Sequence, residues 1–353
     1  MASFAIEVPG ETVPLSEQQL IQTLQSAASS NPAQIQTGTK QLGEWEHRAG
    51  YYRHLQGAYI DQRLPVELRY LAIIQLKNGI DKYWRKTATN AVSKQDKEVI
   101  RARLLSSCVN EPDDRLALQS ALVVAKVARF EYPNDWPDLI STLVQRLRSQ
   151  VPPLQLARLL LILLHIVKEL STARLQRSRQ TLQSATPELV HVLSSVYSDA
   201  VRDWQSDASA RSSTLALMAL KVLRRLLVVG YEHPNRNPEV VQIWTDSQQH
   251  LNFFLQQQAT EKLALQLSKL HHQISKEHPA AFALLPGSLD LARAYWGIAR
   301  HYGETMNSGE NVQTAVADAR LGADGDADEK PTTEKLALRG LLIMRACVKM
   351  VNL

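Results

Sequence analysis

The sequence predicts an all-α protein, a right-handed α-solenoid of about seven antiparallel helix pairs, and composition, start signals and period carry that expectation. The 353 residues include 51 leucines but only 14 glycines, with 6% aromatics. Leucine, alanine, glutamine, lysine and arginine lose little rotamer freedom in a helix, so this composition favours helix throughout. Helical periodicity runs along nearly the whole chain, and no alternating strand pattern interrupts it. Taking every second helix gives starts near residues 16, 49, 95, 135, 187, 238 and 288. Their spacing suits HEAT-type repeats of about 40–47 residues with loop insertions. A single pair cannot bury its apolar face alone, so neighbours must stack.

Residues 1–14 read as a flexible arm. Ser16 then caps the first helix. Pro65 opens the helix that runs through RYLAIIQLKNGIDKYWRK, and Asp113 caps LALQSALVVAKVARF. Asp135 with Asp138 three residues on has the form of a capping box. Pro152 and Pro153 open LQLARLLLILLHIVKEL, and Pro187, Pro238 and Pro286 stand at or just before three more helices, where a missing N–H costs nothing. Residues 307–333, rich in Gly, Asp and Thr, read as a long acidic loop. The helix at 334–353 has no cap and no polar closing face, so the array is expected to be C-terminally truncated.

The net charge of +5 is unevenly placed: Asp318 to Glu329 holds five acids and one base. The remaining body is basic, which alone supports only nonspecific attraction to something acidic. Cys108 and Cys347 cannot build a disulfide framework, and their apolar neighbours make both expected buried thiols of a reducing compartment. The greasiest run, LLLILL at 159–164, is far short of the roughly 20 apolar residues a membrane span needs, and MASFAIEVPGE lacks the features of a secretory signal. A soluble intracellular chain is expected.

No catalytic chemistry is evident. There is no phosphate-cradling GxxxxGK[ST] and no G-x-G-x-x-G. His271, His272 and His278 have no carboxylate or cysteine at ligand spacing and read as surface histidines. Asp324, Asp326 and Asp328 begin like a calcium loop, but Glu329 occupies the position that needs glycine and Lys335 the twelfth. The expectation is a non-enzyme with no cofactor and no metal.

Residues 45–139 do more than fit a repeat. Arg69, Ala72, Leu76, Lys77, Asn78, Ile80 and Trp84 spell R-x-x-A-x-x-x-LKN-x-I-x-x-x-W, and ALVVAKVARFEYPNDWPDLI follows with Pro133, Trp136, Pro137 and Leu139. This region resembles the N-terminal domain of the importin-beta (karyopherin-beta) family. The resemblance implies such a domain at 15–139, further HEAT pairs over 140–306, and a nuclear transport receptor shuttling between nucleus and cytoplasm. It implies Ran-GTP, phenylalanine–glycine nucleoporins and an unidentified protein cargo as partners, for a monomer that needs neither membrane nor direct nucleic-acid contact. Residues of such a family continue well beyond the repeats present here.

On a wheel at about 100° per residue, Leu68, Ala72, Leu76, Ile80 and Tyr83 share a core arc with Trp84 at its edge. Tyr70, Ile74, Lys77, Asn78, Asp81 and Arg85 share the opposite arc. On the next inner helix Arg115, Gln119, Lys126 and Arg129 line up likewise. Such mixed faces suit protein binding, and the resemblance assigns the corresponding face to Ran-GTP. The alternative is a solvated face held by i,i+4 pairs such as Lys77–Asp81–Arg85. Trp45, Trp84 and Trp136 read as packing more than as anchors. Trp244, Phe253 and Phe254 are candidates for nucleoporin contact, with core packing as the alternative. Asp324, Asp326, Asp328 and Glu329 are candidates for holding a basic patch on bound Ran, against a passive loop. Two rival functions remain, a HEAT scaffold without Ran binding and a basic nucleic-acid-binding solenoid, the latter with a steep salt dependence.

Overall fold

A computed structural model describes residues 15–172, 176–255, 261–307 and 332–351, and all regular structure among them is helical. The arm at 1–14 and the acidic residues Asp324, Asp326, Asp328 and Glu329 lie outside the described residues. Ser16 opens α1 (Glu17–Ala27) with a complete capping box: its hydroxyl accepts from Gln19 N–H while the Gln19 side chain accepts from Ser16 N–H. Then follow α2 (Pro32–Trp45), α3 (Tyr51–Ile60), α4 (Val66–Tyr83), α5 (Lys94–Val109), α6 (Asp114–Glu131), α7 (Leu139–Arg148) and α8 (Pro153–Ser171). The second half comprises α9 (Gln176–Asp207), α10 (Ala210–Val229), a 3₁₀ turn (Pro234–Arg236), α11 (Pro238–Phe254), α12 (Glu261–Glu277), the short α13 (Pro279–Ala283), α14 (Ser288–Asn307) and α15 (Thr332–Val351).

Contacts divide the chain into two units, Met1–Arg146 with Gln150–Glu169, and Leu147–Ser149 with Leu170–Leu353. In the first, antiparallel pairs such as α3/α4 and α5/α6 stack so that α3 meets α5 and α4 meets α6. In the second, α9/α10, α11/α12 and α14/α15 repeat the arrangement, with α10, α12 and α15 side by side in one row. Each unit therefore has a row of first helices and a row of second helices, with leucine, valine and alanine between them. The wheel reading of α4 holds for Leu68, Ala72, Leu76 and Ile80, which are buried, but its last turn is shifted: Trp84 is buried, whereas Tyr83 is only half-buried and its hydroxyl donates to Glu46 at 3.1 Å.

Three local expectations fail. Pro187 opens no helix; it lies inside the 32-residue α9, which starts at Gln176. Pro187 is exposed while Leu182, Leu189, Val190 and Leu193 are buried, so the missing hydrogen bond falls on the wet side and the apolar face holds the helix together. Asp135 caps nothing: its N–H, like that of Trp136, is drawn back to the carbonyl of Glu131 in a turn, and α7 begins only after Asp138. Cys108 is buried as expected, with burial pushing its thiol up to about 12, but Cys347 is only half-buried. No described helix is long and apolar enough to cross a membrane.

Candidate protein-binding surface

Helices α4 and α6 lie side by side, and the two polar arcs read from the sequence meet along their seam. Lys77 Nζ donates to Gln119 Oε1 at 2.7 Å. Lys126 Nζ donates to both carboxylate oxygens of Asp81 at 2.5 Å. The Arg85 guanidinium sits 5.5 Å from the Phe130 ring centre, within cation–π range. One pair further along, Arg129 Nη1 reaches Glu169 on α8 at 3.1 Å. The ion pair of Asp81 therefore runs across to the next repeat and not along its own helix. Tyr70, Asn78, Asp81, Arg85, Arg115 and Arg129 are exposed, whereas Ile74, Lys77, Gln119 and Lys126 are half-buried. Burial, then the neighbouring Lys126, push the Lys77 ammonium below its usual range, and Asp81 pulls it partly back. Side chains tethered across the seam have less conformational freedom than free surface residues.

Beneath this seam lies a polar layer that pattern reading missed. Arg69, buried, pairs with buried Glu111 and donates through Nε to the Tyr59 carbonyl at 2.8 Å. Arg158 of α8 donates to the carbonyls of Glu111 and Pro112 at 2.9 and 3.0 Å and pairs with Asp114 at 2.7 Å. Trp84 Nε1 donates to Glu131 Oε1 at 3.0 Å, and Arg101 holds the other oxygen at 2.8 Å. Glu111 and Glu131 read in sequence as ordinary helix-end acids. Only their counterparts 42 and 47 residues upstream, Arg69 and Trp84, make them core components.

Trp84 and Trp136 are buried, while Trp45 is half-buried with the Arg48 guanidinium 6.0 Å from its ring centre. Trp244 and Phe254 are also interior, at 1% exposure each, which is the packing alternative and leaves them no surface to offer. Phe253 is half-buried, edge-on to Trp204 at 5.7 Å. Next to these residues an open cleft of about 550 Å³ lies between α11, α14 and the start of α15, with Leu255, Ala294, Gly297 and Ile298 on its apolar side and Asp290 and His301 on its polar one.

The surface reading of the histidines needs correction. His271 is wholly buried, and burial pushes its protonation down to about 3. Ser247 donates its hydroxyl proton to the Trp244 carbonyl, so His271 Nε2–H donates to Ser247 Oγ at 2.9 Å and Nδ1 is left as a bare lone pair. His272 and His278 are half-buried, the latter stacked on Trp244. No group of three potential metal ligands occurs among the described residues.

Comparison with known proteins adds the following. Residues 38–110 match the importin-beta N-terminal domain, and residues 114–230 match the exportin 1-like protein family. Importin beta-like protein KAP120 of Saccharomyces cerevisiae is 30% identical over 96% of this chain and 33% of its own length. Importin-11 of Mus musculus is 30% identical over 78% of this chain and 30% of its own. The solved structure of Lph2, a bidirectional nuclear transport receptor of S. cerevisiae, superimposes with a TM-score of 0.75 at 29% identity, over 93% of this chain and 32% of that one. Structures of Kap121p bound to Nup53p and to RanGTP share the fold alone, at 12% and 13% identity. The chain spans about a third of the length of the relatives it matches.

Proposed function

Because the chain belongs to the importin-beta family, we propose that it serves a nuclear transport receptor that moves protein cargo through nuclear pores between cytoplasm and nucleus. In this reading the face formed by α4 and α6 binds Ran in its GTP form. Cargo release then follows from a difference in affinity between two receptor states, because tight binding alone shifts no equilibrium. The observation that carries the reading is the cross-helix strip itself. Lys77 and Asn78 of the LKN motif stand on the open side of α4, and Gln119 and Lys126 come from α6 to meet the same side. A scaffold helix pair has no need of that tethered, mixed surface.

The nucleoporin reading moves with the geometry. Trp244 and Phe254 are interior, so a phenylalanine of a nucleoporin repeat would enter the cavity beside them, against Leu255, Ala294, Gly297 and Ile298. This open cleft has room for an aromatic ring, with Asp290, His301 and Thr333 on its polar side.

The test is direct binding of the 353-residue chain to Ran loaded with GTP or GDP, with Lys77→Glu plus Arg85→Glu as the altered face. The reading expects preference for the GTP form, lost in the double variant with helicity and melting nearly unchanged. Equal binding of both nucleotide states would sink it.

A further inference from the structure

In the second unit the two rows of helices differ in charge. The second helices α10, α12 and α15 carry eleven lysines and arginines against three glutamates, a balance of +8. The first helices α9, α11 and α14 carry five bases against eight acids, a balance of −3. Helix α10 has no acidic residue at all. On α12 the residues turned away from the core are Lys262, Leu265, Lys269, His272, Gln273 and Lys276, with the exposed carboxylates of Glu261 and Glu277 at the two ends. Its three lysines recur every seven residues, about 10.5 Å apart along one stripe. Helix α10, which carries half-buried Lys221 and Arg225, packs against α12, as does α15, whose Arg339 reaches Ser268 of α12 at 3.3 Å. Burial first, then the nearby charges of Arg339 and Lys276, hold the His272 ring below its usual protonation range.

Apolar side chains are exposed on these helices as well. Leu338, Leu341 and Leu342 are each 44% exposed on α15, and Leu265 is half-buried on α12. No Phe, Tyr or Trp occurs on α10, α12 or α15. Single-stranded nucleic acid is gripped by basic grooves furnished with aromatic stacking platforms, and this face has the charge without the platforms. A row that carries both cations and exposed leucines suits a polypeptide that carries both carboxylates and apolar side chains.

We infer that the row formed by α10, α12 and α15 is a docking face for an acidic, amphipathic protein segment, distinct from the α4/α6 face. Charge complementarity speeds the encounter and the leucines hold the complex, so affinity falls but does not vanish as salt rises.

The test is fluorescence anisotropy of the whole 353-residue chain with three labelled probes. They are a 20-residue Glu/Leu peptide of amphipathic helical pattern, its Lys/Leu counterpart, and a 20-nucleotide oligouridylate. The acidic peptide should bind at least about tenfold tighter than the basic one at low salt. Lys262→Glu with Lys276→Glu and Arg225→Glu should weaken it by about tenfold or more, whereas Lys262→Arg with Lys276→Arg should retain it. If the triple variant does not fold, Lys262→Gln with Lys276→Gln serves instead, with an expected loss of about threefold. Equal binding of the two peptides, an unchanged affinity in the variants, or tighter binding of the oligouridylate would each overturn the inference. Ran-GTP binding through α4 and α6 should be unaffected by every one of these changes, so the two proposals fail separately.

Discussion

Lys126 crosses from α6 to lay its ammonium against both oxygens of Asp81 on α4, joining two successive repeats at their exposed seam. Asp81 is half open to water, with 50% of its side chain accessible, so the pair adds little to stability. What it supplies is position: the lysine is held at one place on the seam.

Asp81→Asn should therefore leave melting within a few degrees of the parent, since exposed pairs contribute about 0.2–1 kcal/mol. It should weaken Ran-GTP binding by slowing capture and loosening the seam. Parallel thermal melts and binding kinetics on the same protein check both halves. A large melting change with unaltered binding would make Asp81 a purely structural residue.

Buried charge behaves in the opposite way. Removing one partner of the Arg69–Glu111 pair, as in Glu111→Leu, should cost about 3–5 kcal/mol because the guanidinium is left buried and uncompensated. Arg69→Met combined with Glu111→Leu should recover much of that loss. Urea denaturation of the two variants measures the difference.

Gly79 of α4 faces the ring of Tyr52 on α3 so closely that a methyl group would overlap the ring carbons. Gly79→Ala should lower stability by about 1–3 kcal/mol through overpacking, despite the better helix propensity of alanine. Gly297 on α14 is the contrast, with nothing near its absent side chain. Gly297→Leu should raise melting slightly, as a glycine leaves a helix interior, and should fill the cavity beside α11. Loss of binding to a phenylalanine–glycine peptide without loss of stability is the expected result.

Protonation of His271 is disfavoured in the folded chain, from the ordinary 6.5 to about 3. Above pH 6.5 the ring is neutral folded and unfolded alike, and it contributes no pH dependence. Below 6.5 the unfolded chain takes up the proton and the folded one does not, so stability falls as pH drops toward 3. At pH 5 the loss from this ring is about 2 kcal/mol. Melts of the parent and of His271→Gln at pH 7, 6 and 5 should show a smaller decline in the variant.

Much of this architecture is legible locally. Ser16, Asp113 and Pro238 mark helix starts because each satisfies or removes an orphan donor within its own turn. The polar arcs of α4 and α6 are legible because their period is that of a single helix. What is not legible depends on partners far away in the chain. Whether Pro187 breaks a helix is decided by which face is wet, and whether His271 lies inside is decided by Ser247, Trp244 and Phe282. The pairing of Asp81 with Lys126 spans 45 residues, so a wheel drawn for one helix assigns it to a neighbour on that helix.

Glu111 sits at the turn between α5 and α6, yet its carboxylate is held by Arg69 from the pair before and its carbonyl by Arg158 from the pair after. A stacked array with contacts only between adjacent members can fray from an end one repeat at a time. Here one short turn is satisfied only when three consecutive pairs are docked together. Peeling away α8 strands two carbonyls, and loosening α4 strands a carboxylate. Hydrogen exchange should accordingly find these three pairs opening as one cooperative block, with the amides of Glu111 and Asp113 as slow as those in the adjoining helices. A graded rise in exchange toward α8 would mean the turn does not bind the block together.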